Sequence, residues 1–330
     1  MNEKVKGILF TLLGGICWGV SGSIGQYLFD YEGMDSRWLV PIRLGLAGII
    51  LLAYSFLKSG KQVIAPWKNR QECIELIIYG LFGVSMCQFF YFTTIMLSTA
   101  GVATILQDLS PIFILMVTCF MARRGPRPLE IASIVLALLG VALITTHGNF
   151  AGLLGSASTT AVGAAEAAGG AADASSVGAA AQAGGAVSPA AILTGVICAF
   201  TVMIYNVAPR HLMQKYSVLM LQGWAFLMGG IFFFFVFHVW TWHYVPSVLG
   251  ILGIAGVVLI GNVMAFPFYM TGVRLIGADK AILFGFSEPI SAAIIGTLFL
   301  GSPFTFWDGL GFALVFAMMV LTSMSSKAEG

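Results

Sequence analysis

The sequence predicts an all-α membrane protein, with ten transmembrane helices arranged as a 5+5 inverted-topology repeat. Three observations predict it. First, 58% of the 330 residues are hydrophobic and only 9% are charged, against about 25% charged in a soluble domain. A surface that poor in polar groups has lipid as its solvent. Second, ten apolar runs of roughly 20 residues each are long enough to cross a bilayer. Third, the second half repeats part of the first, and an odd number of spans per half turns the second copy over.

The runs cover approximately 7–28, 37–57, 76–96, 101–121, 129–147, 190–209, 217–238, 247–270, 280–300 and 305–324. Lipid admits only helices or closed barrels. No ten-residue alternation supports a barrel, so the runs are helices. Lys4 and Lys6 precede the first run, but its apolar stretch is too long for a signal peptide and lacks a clean cleavage site.

Orientation follows from Lys and Arg. Lys4, Lys6, Lys58, Lys61, Lys68, Arg70, Arg123, Arg124, Arg127, Arg210, Lys215, Arg274, Lys280 and Lys327 fall on one side if ten helices alternate. The opposite loops hold Asp30, Glu32, Asp35, Glu166, Asp173 and Asp308, with Arg37 as their one basic residue. Both termini are therefore expected in the cytoplasm, across a cell (inner) membrane. Trp38, Trp240, Trp242, Tyr244 and Trp307 form an outer aromatic belt.

Three segments are expected. Residues 1–147 form a first repeat and 190–330 a second. Between them, 148–189 is mostly Ala, Gly, Ser and Thr and carries no basic residue. Reading it as an eleventh span would put Arg210 and Lys215 outside. It is expected to be a flexible external linker.

Shifting the chain by 178 lays residues 83–130 on 261–308 without a gap, with ten identities in 48 positions. They include Gly83/Gly261, Met86/Met264, Phe90/Phe268, Tyr91/Tyr269, Thr93/Thr271 and Pro111/Pro289. Positions 83, 86, 90 and 93 follow helical spacing, so one face has been kept. Glu130 and Asp308 also correspond. Inverted repeats typically enclose a midplane site and exchange conformations to alternate access.

Several stretches carry a family resemblance. They are Cys17-Trp18-Gly19, Trp38-Leu39 with Arg43, Gly277-Ala278-Asp279-Lys280-Ala281 and Glu288-Pro289. The whole, apart from 148–189, resembles the drug/metabolite transporter (DMT) superfamily, in its ten-helix EamA-like branch. The resemblance implies a 5+5 carrier of small metabolites, amino acids or drugs, often an exporter, with a cavity lined by helices 1–4 and 6–9. Where the family often has Gly-Glu after helix 9, this chain has Gly301-Ser302.

The candidate substrate-binding residues are polar or aromatic groups inside apolar runs. Asp108 and Glu288 each lie about eight residues into a helix, roughly 12 Å deep. Intramembrane acids are costly and mark functional sites by default. Each could contact a substrate cation or carry a proton, or be a neutral acid satisfied by a neighbouring helix. Arg43 could pair with Asp108, bind a substrate carboxylate, or snorkel to headgroups. Gln88, Gln107, Asn206, Gln222 and Asn262 are helix–helix glue or ligand-orienting amides. Gln88 and Asn262 stand out because they lie on helices 3 and 8, whose matched face is kept. Trp18, Tyr91 and Tyr269 could wall a cavity or simply pack. Pro111 and Pro289 each free a carbonyl one turn back and are candidate hinges or static kinks. Gly15, Gly19 and Gly22 have the small-xxx-small spacing of close helix packing.

Other classes are excluded. A net charge of +2 scattered over segment ends forms no nucleic-acid patch. The five cysteines show no metal or redox spacing and read as buried apolar fillers. No phosphate loop, nucleophile elbow or zinc motif occurs. No cofactor, metal site or catalytic residue is expected, and the chain is not expected to be an enzyme. The expected partners are a small-molecule substrate and the bilayer, with protons as a candidate coupling ion, in a monomer or weak homodimer. The leading expectation is a secondary active or facilitative exporter of a metabolite such as an amino acid or amine. The alternatives are efflux of amphipathic compounds and a non-transport scaffold subunit.

Overall fold

A computed structural model describes residues 2–121, 123–146, 187–276, 281, 284–285, 287–301 and 304–327. The expected linker 148–189 therefore lies almost wholly outside the described residues, as do His147, Glu166, Asp173, Lys280 and most of the Gly277–Ala281 motif.

The described chain is helical, with no strand. We label α1 (Glu3–Asp30), α2 (Ser36–Ser59), α3 (Arg70–Leu97), α4 (Ala100–Gln107), α5 (Ser110–Met121), α6 (Pro128–Thr146) and α7 (Pro189–Val207). After these come the short α8 (Arg210–Lys215) and α9 (Val218–Val236). Helix α10 runs continuously through Val248–Gly256, Val257–Met264 and Ala265–Ile276. Last come α11 (Ser287–Phe299) and α12 (Phe306–Lys327). A helix overlies each of the ten apolar runs. Among the described residues, five segments are long and apolar enough to cross a membrane: Glu3–Asp30, Ser36–Lys68, Arg70–Leu97, Val218–Val236 and Val248–Gly272.

Side-chain caps start most helices, because the first amides lack intrahelical acceptors. Asn2, Asp35, Asn69, Thr99, Ser188, Ser217 and Ser247 each accept a backbone N–H of the following turn. The caps Asn69 and Ser247 stand in the 178-residue register.

Two more local devices recur, one displaced by a single residue from that register and one in it. Helix α3 widens to π geometry over Ile78–Ser85, and α10 does so over Val257–Met264. At the start of α6, Glu130 accepts the Arg127 amide at 2.6 Å; at the start of α12, Asp308 accepts the Thr305 amide at 2.7 Å. Both pairs are the reach-back of an acid to the chain three residues before it. Packing is exchanged in the same way. Helix α1 lies against α10 and α11, and α7 lies against α3, α4 and α5, while α2 pairs with α9 and α6 with α12.

Glycine sets the closest approaches. A Cβ on Gly48 of α2 would sit 2.5 Å from the Leu227 amide nitrogen of α9. On α1, a Cβ on Gly14 would lie 2.7 Å from the Tyr269 nitrogen, and one on Gly19 would lie 2.6 Å from the Glu288 carbonyl oxygen. The glycines of α1 thus let its backbone touch α10 and α11.

The fourth apolar run differs from expectation. It is not one helix: α4 stops at Gln107, Asp108 and Leu109 form a turn, and α5 begins at Ser110. A proline at 111 has no N–H for the carbonyl of Gln107. The chain closes locally instead, with Leu109 N–H on Leu106 O and Ile112 N–H on Leu109 O.

Candidate functional site

Helix α2 carries Arg43 into the centre of the bundle, where the residue is 2% exposed. It does not snorkel, and its hydrogen-bond partner is not Asp108. Its Nη2 donates to Asn262 Oδ1 at 2.6 Å and its Nε to the same oxygen at 3.2 Å. Nη2 also reaches Gln88 Oε1 at 3.4 Å. The guanidinium lies 3.8 Å above the ring of Phe92, a favourable placement for a desolvated cation. Asn262 belongs to the π segment of α10, and Gln88 lies just after that of α3. Such segments are frequent at functional sites, since the extra residue re-aims side chains. Arg43 Nη1 and Asn262 Nδ2 are buried with no hydrogen-bond partner among the described residues. An unpaired donor on a buried cation is costly and offers a place for an anion.

The acids enter from the other side. Glu288, at the start of α11, is 9% exposed and accepts from Tyr91 Oη at 3.4 Å. That hydroxyl is also 3.0 Å from Thr104 Oγ1 of α4. Asp108 sits in the α4–α5 turn, with Oδ2 buried and without a hydrogen-bond partner among the described residues. It lies within electrostatic reach of Glu288.

Most of these groups meet around one cavity of about 80 Å³, but Asp108 is not among the residues that line it. Trp18, Arg43, Gln88 and Tyr91 line it, together with Gln107, Gln222 and Glu288. Asn262 joins through Arg43. Tyr269 joins through Trp18, their rings 4.9 Å apart. Gln222 is held by Tyr79 Oη at 2.7 Å. Pro289 is buried in α11 beside Glu288. The side chains of Asn206 and Pro111 lie outside those described. Sequence reasoning missed Phe92, Tyr79, Tyr205 and Cys87 here. Phe92 sits one residue from Tyr91, yet apolar composition alone gives an aromatic ring no role. A second cavity, of about 730 Å³, is bounded by α1, α11 and α12 and is almost wholly apolar; Ser287 and Thr297 are its polar residues. It lacks the polar groups that would orient a polar solute.

Both ends of the bundle are tied. At one end Glu72, 3% exposed, bonds Lys215 Nζ and Tyr216 Oη, and Glu75 meets His211. The Glu72 hydrogen bond holds the Lys215 ammonium above the ordinary lysine range. A separate set joins Ser247 Oγ to the Glu32 carboxylate at 2.8 Å and Tyr244 Oη to the Glu32 carbonyl at 3.0 Å.

Apolar helices long enough to span a bilayer, with polar side chains gathered around a cavity between them, suit a membrane transporter. The comparisons agree. The EamA-like transporter family model matches residues 5–146 and again 189–324, and the chain belongs to that family, as its resemblance to the DMT superfamily implied. It is 31% identical to the uncharacterized inner membrane transporter YicL of Salmonella typhimurium, over 99% of this chain and 98% of that one. It is 23% identical to an uncharacterized transporter of Archaeoglobus fulgidus, over 90% and 91%. A solved crystal structure shares the fold with a TM-score of 0.60 at 17% identity, covering 98% of both chains. These names point to a transporter rather than an enzyme. Among the described residues no three His, Cys, Asp or Glu are placed to hold a metal ion.

Proposed function

We propose that this protein is a secondary active or facilitative carrier that exports a small metabolite with an amino group, such as an amino acid or amine. It works by alternating access of two inverted five-helix repeats, residues 1–147 and 190–330, joined by an external linker, with both termini in the cytoplasm. One observation carries this reading: an intramembrane cavity built by both halves, with Arg43 on one wall and Glu288 on another. A guanidinium with a spare donor suits a carboxylate, and the acids suit an ammonium group. The shared register of caps and reach-back acids, with the recurrence of the π segments one residue out of it, supports the repeat. The ion pair joining 72 to 215 and the contacts joining 32 to 247 support loops that alternate between two faces.

A cavity of about 80 Å³ has room for a few waters at ~30 Å³ each. Ligand sites usually need about 300 Å³ or more. The site therefore widens to take its solute, and the ties at the two ends are the contacts that give way.

Counterflow of labelled amino acids and amines in proteoliposomes tests this reading; no counterflow for either class removes it. The paired rings of Trp18 and Tyr269 favour a second reading, efflux of amphipathic compounds, which the same assay distinguishes with an aromatic cation as the solute. Asp108 and Glu288 are the candidate proton carriers. Asp108→Asn or Glu288→Gln is expected to flatten the pH profile of transport, and an unchanged profile removes that residue from coupling.

A further inference from the structure

Two cysteines that the sequence treats as apolar fillers touch. Cys87 of α3 and Cys198 of α7 have their Sγ atoms 3.8 Å apart, and Cys198 Sγ also donates to the Cys87 carbonyl at 3.5 Å. Cys87 lines the polar cavity. Both thiols point at one acceptor, Gln107 Oε1, at 3.4 Å from Cys198 and 3.8 Å from Cys87. All five cysteines are free, and among the described residues Cys17, Cys73 and Cys119 make no thiol–thiol contact.

We propose that Cys87 and Cys198 are an oxidisable dithiol site that closes, by exchange with a small uncharged disulfide, to a bridge fastening α3 to α7. A disulfide needs sulfurs about 2.05 Å apart with Cβ atoms about 3.5–4.5 Å apart. The two sulfurs, 3.8 Å apart, have to approach by about 1.8 Å to bond. Exchange proceeds in two displacements. One cysteine sulfur attacks the reagent, whose S–S bond breaks, and the first reagent thiol leaves with one proton. The second cysteine sulfur then displaces the other reagent thiol, which takes the second proton. One protein S–S bond replaces one reagent S–S bond, and no other oxidant is consumed. Burial slows thiolate formation, so exchange proceeds through the cavity as it widens.

The consequence follows from what the thiols hold. Helix α3 belongs to the first half and α7 to the second, so the bond links the halves at the cavity wall. It also removes both S–H donors from Gln107, the residue immediately before the Asp108 break. Bridging therefore restrains the two elements that border the site, and on the proposed function it arrests the carrier.

The test uses the full chain in lipid nanodiscs, 4,4′-dithiodipyridine as the disulfide, an alkylating quench, and peptide mapping by mass. The expected result is a linked peptide pair carrying Cys87 and Cys198, with a stable mixed adduct on the remaining thiol in Cys87→Ser and in Cys198→Ser. Failure to find the linked pair, with or without adducts elsewhere, overturns the site. This readout needs no substrate, so it stands or falls separately from the transport reading. In proteoliposomes, bridged protein is expected to lose counterflow and regain it with a reductant. Full counterflow from quantitatively bridged protein overturns the arrest.

Discussion

Replacing Arg43 by Met separates a binding role from a structural one. The stem keeps its length and the charge is lost. From the structure, the change deletes the 2.6 Å bond to Asn262, worth about 1.5–3 kcal/mol for a charged donor. It also deletes the stacking on Phe92, worth about 2 kcal/mol when desolvated. Together that is about 3.5–5 kcal/mol. Against it stands the cost of holding a guanidinium that is 2% exposed, which is several kcal/mol. The two nearly cancel, so Arg43→Met is expected to fold with an unfolding midpoint close to the parent. Transport is different, because a substrate carboxylate loses its cation. A charged hydrogen bond of about 3 kcal/mol is worth about 100-fold in affinity. Counterflow and thermal unfolding, measured on the same preparation, check both parts. A folded Met variant that transports at the parental rate refutes the reasoning. Arg43→Lys keeps the charge without the fork and is expected to fall between the two.

Three further outcomes follow from the geometry. Gly48→Ala drives a Cβ against the Leu227 backbone and is expected to cost about 1–3 kcal/mol, while Gly45→Ala on the same helix meets nothing within 4 Å and is expected to be neutral or mildly stabilising, as read by thermal unfolding. Glu130→Gln and Asp308→Asn each weaken an acid that reaches back to the preceding chain; each is expected to destabilise by about 0.5–2 kcal/mol, and a neutral result for both would remove these acids as helix-start devices. Lys215 has a folded value raised by Glu72, so its contribution is full below the ordinary lysine range and fades as pH rises through the elevated value; a Lys215→Met variant is expected to unfold at lower temperature than the parent at neutral pH, with the gap closing in alkali.

The parts that were legible in the sequence are those written as hydrophobic run length, charge and register. The apolar runs placed the helices. The 178-residue shift singled out Glu130 with Asp308, and the matched helices 3 and 8 drew attention to Gln88 and Asn262, the two amides that meet at Arg43. What stayed hidden depends on which side chains converge. Arg43 had three readings, and its actual partners are amides separated from it by 45 and 219 residues. The π segments leave no trace in hydropathy, because one extra residue per turn does not alter an all-apolar pattern. The break at Asp108 was foreshadowed by Pro111 but read as part of one span. Cys87 and Cys198 lie 111 residues apart, and no spacing rule pairs cysteines across that distance. Glu72 precedes the third apolar run and had no reading from the sequence; the structure buries it against Lys215 and Tyr216.

The central claim is that two similar five-helix units face opposite ways across the membrane around the Arg43 cavity. Labelling intact cells with an impermeant maleimide tests it most directly, using single cysteines at Lys61→Cys, His211→Cys, Tyr31→Cys and Trp240→Cys in a cysteine-free background. The account predicts that 31 and 240 label from outside, whereas 61 and 211 label only after the cells are opened. Labelling that places 61 and 211 on opposite sides of the membrane contradicts it.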